Sequence, residues 1–175
     1  MKKISDAMSD FRKMNTTLSG NVLNQDLNFD SEVHRRLLSI FQPGDFYFFV
    51  YNLNRSEFDF VSPEIETVLG YKREDATISL ILSNAHPEDL PYFLNFENKV
   101  VEFFKQLRPD QILKYKVRYD YRIRRPDGEY VRILHQLITL DFDQQHGGIL
   151  RTLGVHTDIT HFKKEGKLVN ISLWN

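Results

Sequence analysis

The 175-residue chain contains no cysteine. That excludes disulfides and thiolate metal sites, and it leaves the redox compartment unreadable from cysteine usage. No apolar run approaches the roughly 20 residues that cross a bilayer as a helix, and the first residues lack the apolar core of a signal peptide. A cytoplasmic location with no membrane contact is therefore the expectation. An excess of one charge is missing too. The chain has 23 Lys and Arg against 24 Asp and Glu, a net charge of −1, which gives no global pull toward nucleic acid. There is no Gly-rich phosphate loop, no G-x-S-x-G and no H-E-x-x-H. Abundance lies elsewhere, in 14 Phe and 8 Tyr. So many rings either fill a core or line a pocket. A chain of this size makes one domain with extensions, or at most two small ones, and buries roughly 70% of its unfolded surface without staples.

The most informative stretch runs from Leu113 to Thr160. Apolar or aromatic residues (Leu113, Tyr115, Val117, Tyr119, Tyr121, Ile123) alternate with charged ones from Leu113 to Arg124, which predicts a long strand with one buried and one wet face. Pro126-Asp127-Gly128 supplies turn chemistry. Glu129–Phe142 reads as the returning strand, and a polar loop from Asp143 to Gly148 leads into a third strand, Ile149–Ile159.

Upstream, Ile4, Met8, Phe11, Met14 and Leu18 are spaced along one face of a helix. A helix this weak needs a partner surface, so it is either a frayed terminus or a cap or dimerisation helix. Residues 19–28 read as a linker. A second helix opens at Asp30 or Ser31, with Val33, Leu37 and Ile40 or Phe41 as its buried stripe, and Pro43-Gly44 stops it. Phe46–Asn54 and Glu57–Ser62 read as two strands. Ser62-Pro63 opens a short helix that Gly70 ends. His86-Pro87-Glu88-Asp89 gives a single turn, followed by a fresh helix from Pro91 to about Leu107. Phe93, Phe96, Val100, Phe103, Phe104 and Leu107 form the apolar positions of that helix, and Arg108-Pro109-Asp110 ends it.

Two strands, several short helices, one longer helix and three strands is the order of a PAS domain. Arg124-Arg125-Pro126-Asp127-Gly128 and Gly154-Val155-His156-Thr157-Asp158-Ile159-Thr160 resemble the C-terminal PAC segment of that family. Phe60-Val61-Ser62-Pro63, Leu69-Gly70-Tyr71 and His86-Pro87-Glu88-Asp89 fall where PAS domains carry similar residues. The resemblance implies an α+β fold in which helices cup one face of a five-stranded antiparallel sheet, preceded by N-terminal helices. It divides the chain into residues 1–28 as helix and linker, 29–45 as a capping helix, 46–160 as the PAS domain and 161–175 as an extension. In the family, the cup is the sensing cavity.

Parity predicts the lining of the cup. With Tyr119, Tyr121 and Ile123 inward, Val131, Ile133, His135 and Leu137 follow across the hairpin. Comparison with flavin-binding relatives adds Tyr47, Phe49 and Tyr51 from the first strand and Thr152, Gly154 and His156 from the last. The candidate ligand-binding set is His135, His156, Tyr119, Tyr121, Phe49, Tyr51, Ile133 and Thr152. The two imidazoles either bind a small polar or anionic ligand or are satisfied by tyrosine hydroxyls and backbone groups. Two histidines are short of a metal set, and Asp158 reads as structural.

The cofactor is unknown from the sequence. Cysteine-adduct flavin photochemistry is excluded by the missing cysteine. Haem is disfavoured, because relatives take a histidine from the long helix and Pro91–Leu107 has none. The basic stripe Lys114, Lys116, Arg118, Arg122, Arg124, interrupted by Asp120, reads as a solvated or covered face and not as a nucleic-acid site. The preferred reading is a non-catalytic sensory module. The tail Leu168–Trp174 has β-like composition and adds a strand or an extended arm. This tail and the helix before Pro43-Gly44 resemble the sensor regions of LuxR-type transcription regulators. No helix-turn-helix is present, so the resemblance implies a homodimeric sensor fragment whose output domain lies outside this chain. Two alternatives remain open: an interaction scaffold with a filled core, and a small cup-fold isomerase or hydratase using His135 with Tyr119 or Asp158.

Overall fold

The structure, a computed structural model, describes residues 4–20, 31–143, 148–163 and 172–174. Helices α1 (Ile4–Leu18) and α2 (Ser31–Phe41) precede strands β1 (Phe46–Asn52) and β2 (Glu57–Val61). Helices α3 (Ile65–Leu69), α4 (Ile78–Asn84), α5 (Leu90–Phe104) and α6 (Pro109–Ile112) follow. Strands β3 (Lys116–Arg124), β4 (Tyr130–Phe142), β5 (Ile149–Asp158) and β6 (Ser172–Trp174) complete the chain. The strands form one antiparallel sheet in the order β2-β1-β5-β4-β3-β6. The first five are the expected PAS sheet. β6 adds an edge beside β3, with Val117 opposite Leu173. This is the extra strand that the tail composition allows, although residues 164–171 lie outside the described residues.

The turn motifs do structural work. Gly128 takes φ +92°, which a side chain would resist, and its N–H donates to the Arg125 carbonyl at 3.0 Å. The Asp127 carboxylate accepts the Glu129 amide at 2.9 Å. Arg125 reaches back to α3 and donates to the carbonyls of Thr67 and Val68, which the helix end leaves open. Asp89, at the start of α5, accepts the Arg122 amide and guanidinium at 2.7–2.9 Å. This ties the helix to β3 and holds the Asp89 carboxyl below its ordinary range despite burial. The main core lies between α1, α4, α5 and the inner sheet face. A smaller cluster, Phe48, Val50, Leu153 and Val155, sits on the outer face, where Leu38 of α2 packs on it.

Several boundaries move. β3 begins at Lys116, not Leu113, because Pro109–Ile112 close a helical turn instead of running into the strand. Gln111 supports that turn by accepting the Arg108 amide at 3.1 Å, and Leu113 is left exposed. α5 starts one residue before Pro91, which occupies a first-turn position where its missing N–H costs nothing, and it ends at Phe104. The larger correction concerns α2. Its expected buried stripe is on the surface: Val33 is 50% exposed, Leu37 54%, Ile40 and Phe41 75%. The apolar patch under α2 is narrow, and Leu38 covers it.

The outer face otherwise carries paired charges. Asp120 is fully buried between Arg132 Nη1 at 2.6 Å and Lys163 Nζ at 3.0 Å. Arg151 bridges Asp59 at 2.7 Å and Asp141 at 3.2 Å. Arg122 of the basic stripe is engaged with Asp89 and Glu88.

Candidate functional site: the polar end of the cup

The strand register brings the inward residues together as parity requires. Tyr119 pairs with His135, His135 with His156, and His156 with Tyr47 across four neighbouring strands. Phe49 faces Gly154, and Tyr51 faces Thr152. Gly154 is required here, because a Cβ on it would fall inside the Phe49 ring.

Helix α1 roofs the cup. Its Phe11 ring lies 6.1 Å from Tyr51 and 6.0 Å from Phe93 of α5. Asn15 Nδ2 donates to the Tyr51 hydroxyl at 2.5 Å. Ile4, Met8, Met14 and Leu18 lie partly buried beside them, so α1 packs on the core and not as a frayed end.

Rings fill most of the interior, leaving a cavity of about 70 Å³. That is roughly the liquid volume of two water molecules. His135, His156, Tyr119, Tyr121, Phe49, Tyr51 and Thr152 all line it. Ile133 does not, although it is inward and fully buried. Glu97 of α5, Asn15 and Phe11 line the cavity and escaped the sequence reading. Glu97 stands four residues after Phe93 and three before Val100, so helical spacing alone places it on the buried stripe.

The polar atoms form a relay. The Tyr47 hydroxyl meets His156 Nδ1 at 2.5 Å, and His156 Nε2 meets His135 Nδ1 at 2.7 Å. Tyr121 approaches His156 Nε2 at 3.4 Å. Burial pushes His135 down to about 3 and His156 well below its ordinary value, the neighbouring imidazole adding to the latter. Burial also raises the Tyr47, Tyr119 and Tyr121 hydroxyls. Both imidazoles are therefore neutral, and each bond in the relay needs one donor and one acceptor. If Tyr47 donates, His135 carries its proton on Nε2. If the relay runs the other way, His135 Nε2 is an acceptor. Nε2 makes no hydrogen bond among the described residues.

Two more groups complete the site. Thr152 is 3% exposed and its hydroxyl has no hydrogen-bond partner among the described residues. Glu97 accepts a short hydrogen bond from the Tyr119 hydroxyl, and burial pushes its carboxyl up to about 7. Neither proposed catalytic pairing is formed. The His135 ring lies tilted against Tyr119, with ring centroids 4.7 Å apart, but bonds to His156. Asp158 accepts the Thr160 amide at 2.8 Å, a structural role. Among the described residues no group of three or more His, Cys, Asp or Glu is arranged to hold a metal, and no helix is long and apolar enough to cross a membrane. A wider groove of about 790 Å³ runs between α1 and the start of α5, but Lys13, Ser83, Asn95 and Asn98 on it are exposed and no buried polar group converges there.

Known proteins place this architecture. The N-terminal domain of a diguanylate cyclase with PAS/PAC sensor from Marinobacter aquaeolei is similar, with TM-score 0.54 and 24% identity over 67% of this chain and 97% of that one. A sensory box histidine kinase/response regulator from Burkholderia thailandensis E264 matches with TM-score 0.53 and 19% identity, covering 74% of this chain and 88% of that one. The PAS domain of a protein from Colwellia psychrerythraea matches with TM-score 0.50 and 19% identity, over 74% and 98%. No curated protein sequence matches the chain. The profile of the PAS fold matches residues 58–156, more than half of the chain, and the chain belongs to the PAS fold family.

Proposed function

We propose that this PAS domain is the ligand-sensing and dimerising part of a transcription regulator, with the output domain outside the chain. The observation that carries the sensing role is the cavity at the polar end of the cup, where a Thr152 hydroxyl and a His135 nitrogen without hydrogen bonds among the described residues share the lining with the half-buried Glu97 carboxyl. Such unsatisfied groups are what a small ligand would complete. Burial has left them uncharged or easily neutralised, so the site favours a small polar molecule over a flavin or haem, for which about 70 Å³ is too little.

A route outward exists along β5. His156 faces the cavity, and the next residue, Thr157, faces out and donates to Gln42 Oε1 just after α2 at 2.6 Å. A ligand that alters the His156 relay would change how α2 is held. It can shift that equilibrium only by its differential affinity for the two arrangements. The exposed stripe Val33, Leu37, Ile40, Phe41 is where we place the contact with a second copy. The chain would act without turnover, in the cytoplasm, and without itself touching nucleic acid or membrane.

The scaffold reading is favoured by one observation, the extent to which rings fill the cup. Native mass spectrometry of the purified protein separates the two. Sensing predicts a dimer and a mass increment that disappears in Phe49→Trp, which fills the cavity. A dimer that never carries a small molecule under any growth condition would favour the scaffold, and a monomer would remove the dimer claim.

A further inference from the structure

We propose that the cup is a site for a small organic cation, a protonated primary amine of about two to four heavy atoms, held by the Glu97 carboxylate. The proposal rests on the sensing reading above and narrows it to one chemistry. The polar groups that line the cavity supply acceptors. Asn15 and Tyr51 bond each other, Tyr119 bonds Glu97 and His156 is engaged in the relay, which leaves as acceptors the Glu97 carboxyl, the lone pairs of the Thr152 and Tyr121 hydroxyls, and His135 Nε2 in one of the two relay directions. An ammonium group has three donors and no acceptor, so it uses these groups without leaving an unmatched atom. The surrounding faces are aromatic: Phe11, Phe49, Phe93 and Tyr121 enclose the same space, and a cation over such faces gains attraction that grows as water is excluded.

Competing chemistries fit less well. An anion would face a carboxyl with no cationic partner in the cup, because both imidazoles are neutral. A neutral amide would leave Glu97 uncompensated once ionised. Burial pushes the Glu97 carboxyl up to about 7, opposed by the Tyr119 hydrogen bond. An amine would bind the carboxylate form and displace its proton, so binding tightens as pH rises. The titratable groups around Glu97 are Tyr119 and Tyr121 of β3, His135 of β4, His156 of β5 and Tyr51 of β1, with Arg12 of α1 acting on Tyr51. The tyrosines are raised and the histidines lowered, so none of them changes charge between pH 6 and 8.

The test is thermal unfolding of the chain with methylammonium chloride, against equal potassium chloride, sodium acetate and acetamide, at pH 6 and pH 8. Methylammonium alone should raise the midpoint, with apparent affinity roughly tenfold higher at pH 8. Glu97→Gln should abolish the shift while keeping an acceptor for Tyr119, and its own ligand-free midpoint reports folding. Thr152→Val, which removes only the hydroxyl, should weaken the effect independently. An equal shift in Glu97→Gln would overturn the assignment. Stabilisation by acetate or acetamide instead would overturn the amine chemistry and leave the sensing reading standing. No shift with any probe would count against both.

Discussion

The two faces of one sheet solve the problem of buried polarity in opposite ways. On the outer face Asp120 is fully buried, with Arg132 and Lys163 within 2.6–3.1 Å of its carboxylate. Arg151 likewise pairs with Asp59 and Asp141. On the inner face of the same sheet, at the alternate strand positions, His135, His156 and three tyrosines are just as buried but carry no charge. The difference follows from neighbours. Outward, Arg132 and Lys163 stand beside Asp120, and Arg151 stands beside Asp59 and Asp141, whereas inward positions hold rings and hydroxyls that satisfy neutral groups only. A face of compensated charges sets each buried carboxylate against a cation. A face of neutral donors and acceptors retains spare valence, here at Thr152 and His135, and spare valence is what a ligand needs.

The comparison breaks most visibly at Asp120. Asp120→Asn leaves Arg132 without its counter-charge, and urea unfolding should show a loss of about 3–5 kcal/mol. The inner face should instead respond to pH. His135 and His156 have folded values below their unfolded 6.5, so their contribution is present above pH 6.5 and is lost on acidification. Glu97 runs oppositely: its folded value, about 7, exceeds 4.5, so its contribution is present below 4.5 and is lost as pH rises to 7. Two protons against one leave a net fall of about 1.4 kcal/mol per pH unit from 6.5 to 4.5, and a shallow decline just above 6.5. Glu97→Gln should remove that decline and steepen the acid limb, measured by denaturant titrations across pH. Tyr47→Phe removes one partner of His156 and should cost about 1–3 kcal/mol. The smallest effect belongs to α2: Leu37→Lys should change the chain's own stability by less than about 0.5 kcal/mol, while lowering any dimer fraction seen by sedimentation.

Much of the inner face was legible before any coordinates. Period-two alternation in β3 fixed the parity of Tyr119 and Tyr121, and the Asp-Gly turn carried it across to His135. Glu97 escapes such a reading, although its spacing from Phe93 and Val100 puts it on the inward face of α5, because a charged residue in a helix is read by type and not by position. Asn15 was missed for the same reason, one turn after Phe11 on α1. The α2 stripe was misread for a deeper one. Apolar periodicity states that a face needs covering but not by what, and the sheet offers α2 only the narrow patch that Leu38 occupies. α6 hid because Pro109 serves equally as a stop or as a first helical residue.

The central claim is that the cup holds an uncharged hydrogen-bonded relay sealed from solvent. Imidazole ¹⁵N NMR of the chain between pH 8 and pH 5 tests it directly. The account predicts that His135 and His156 stay neutral throughout, each with one protonated and one bare nitrogen and with the exchange-protected signal of a shared proton between them. Titration of either ring near pH 6.5 would contradict it.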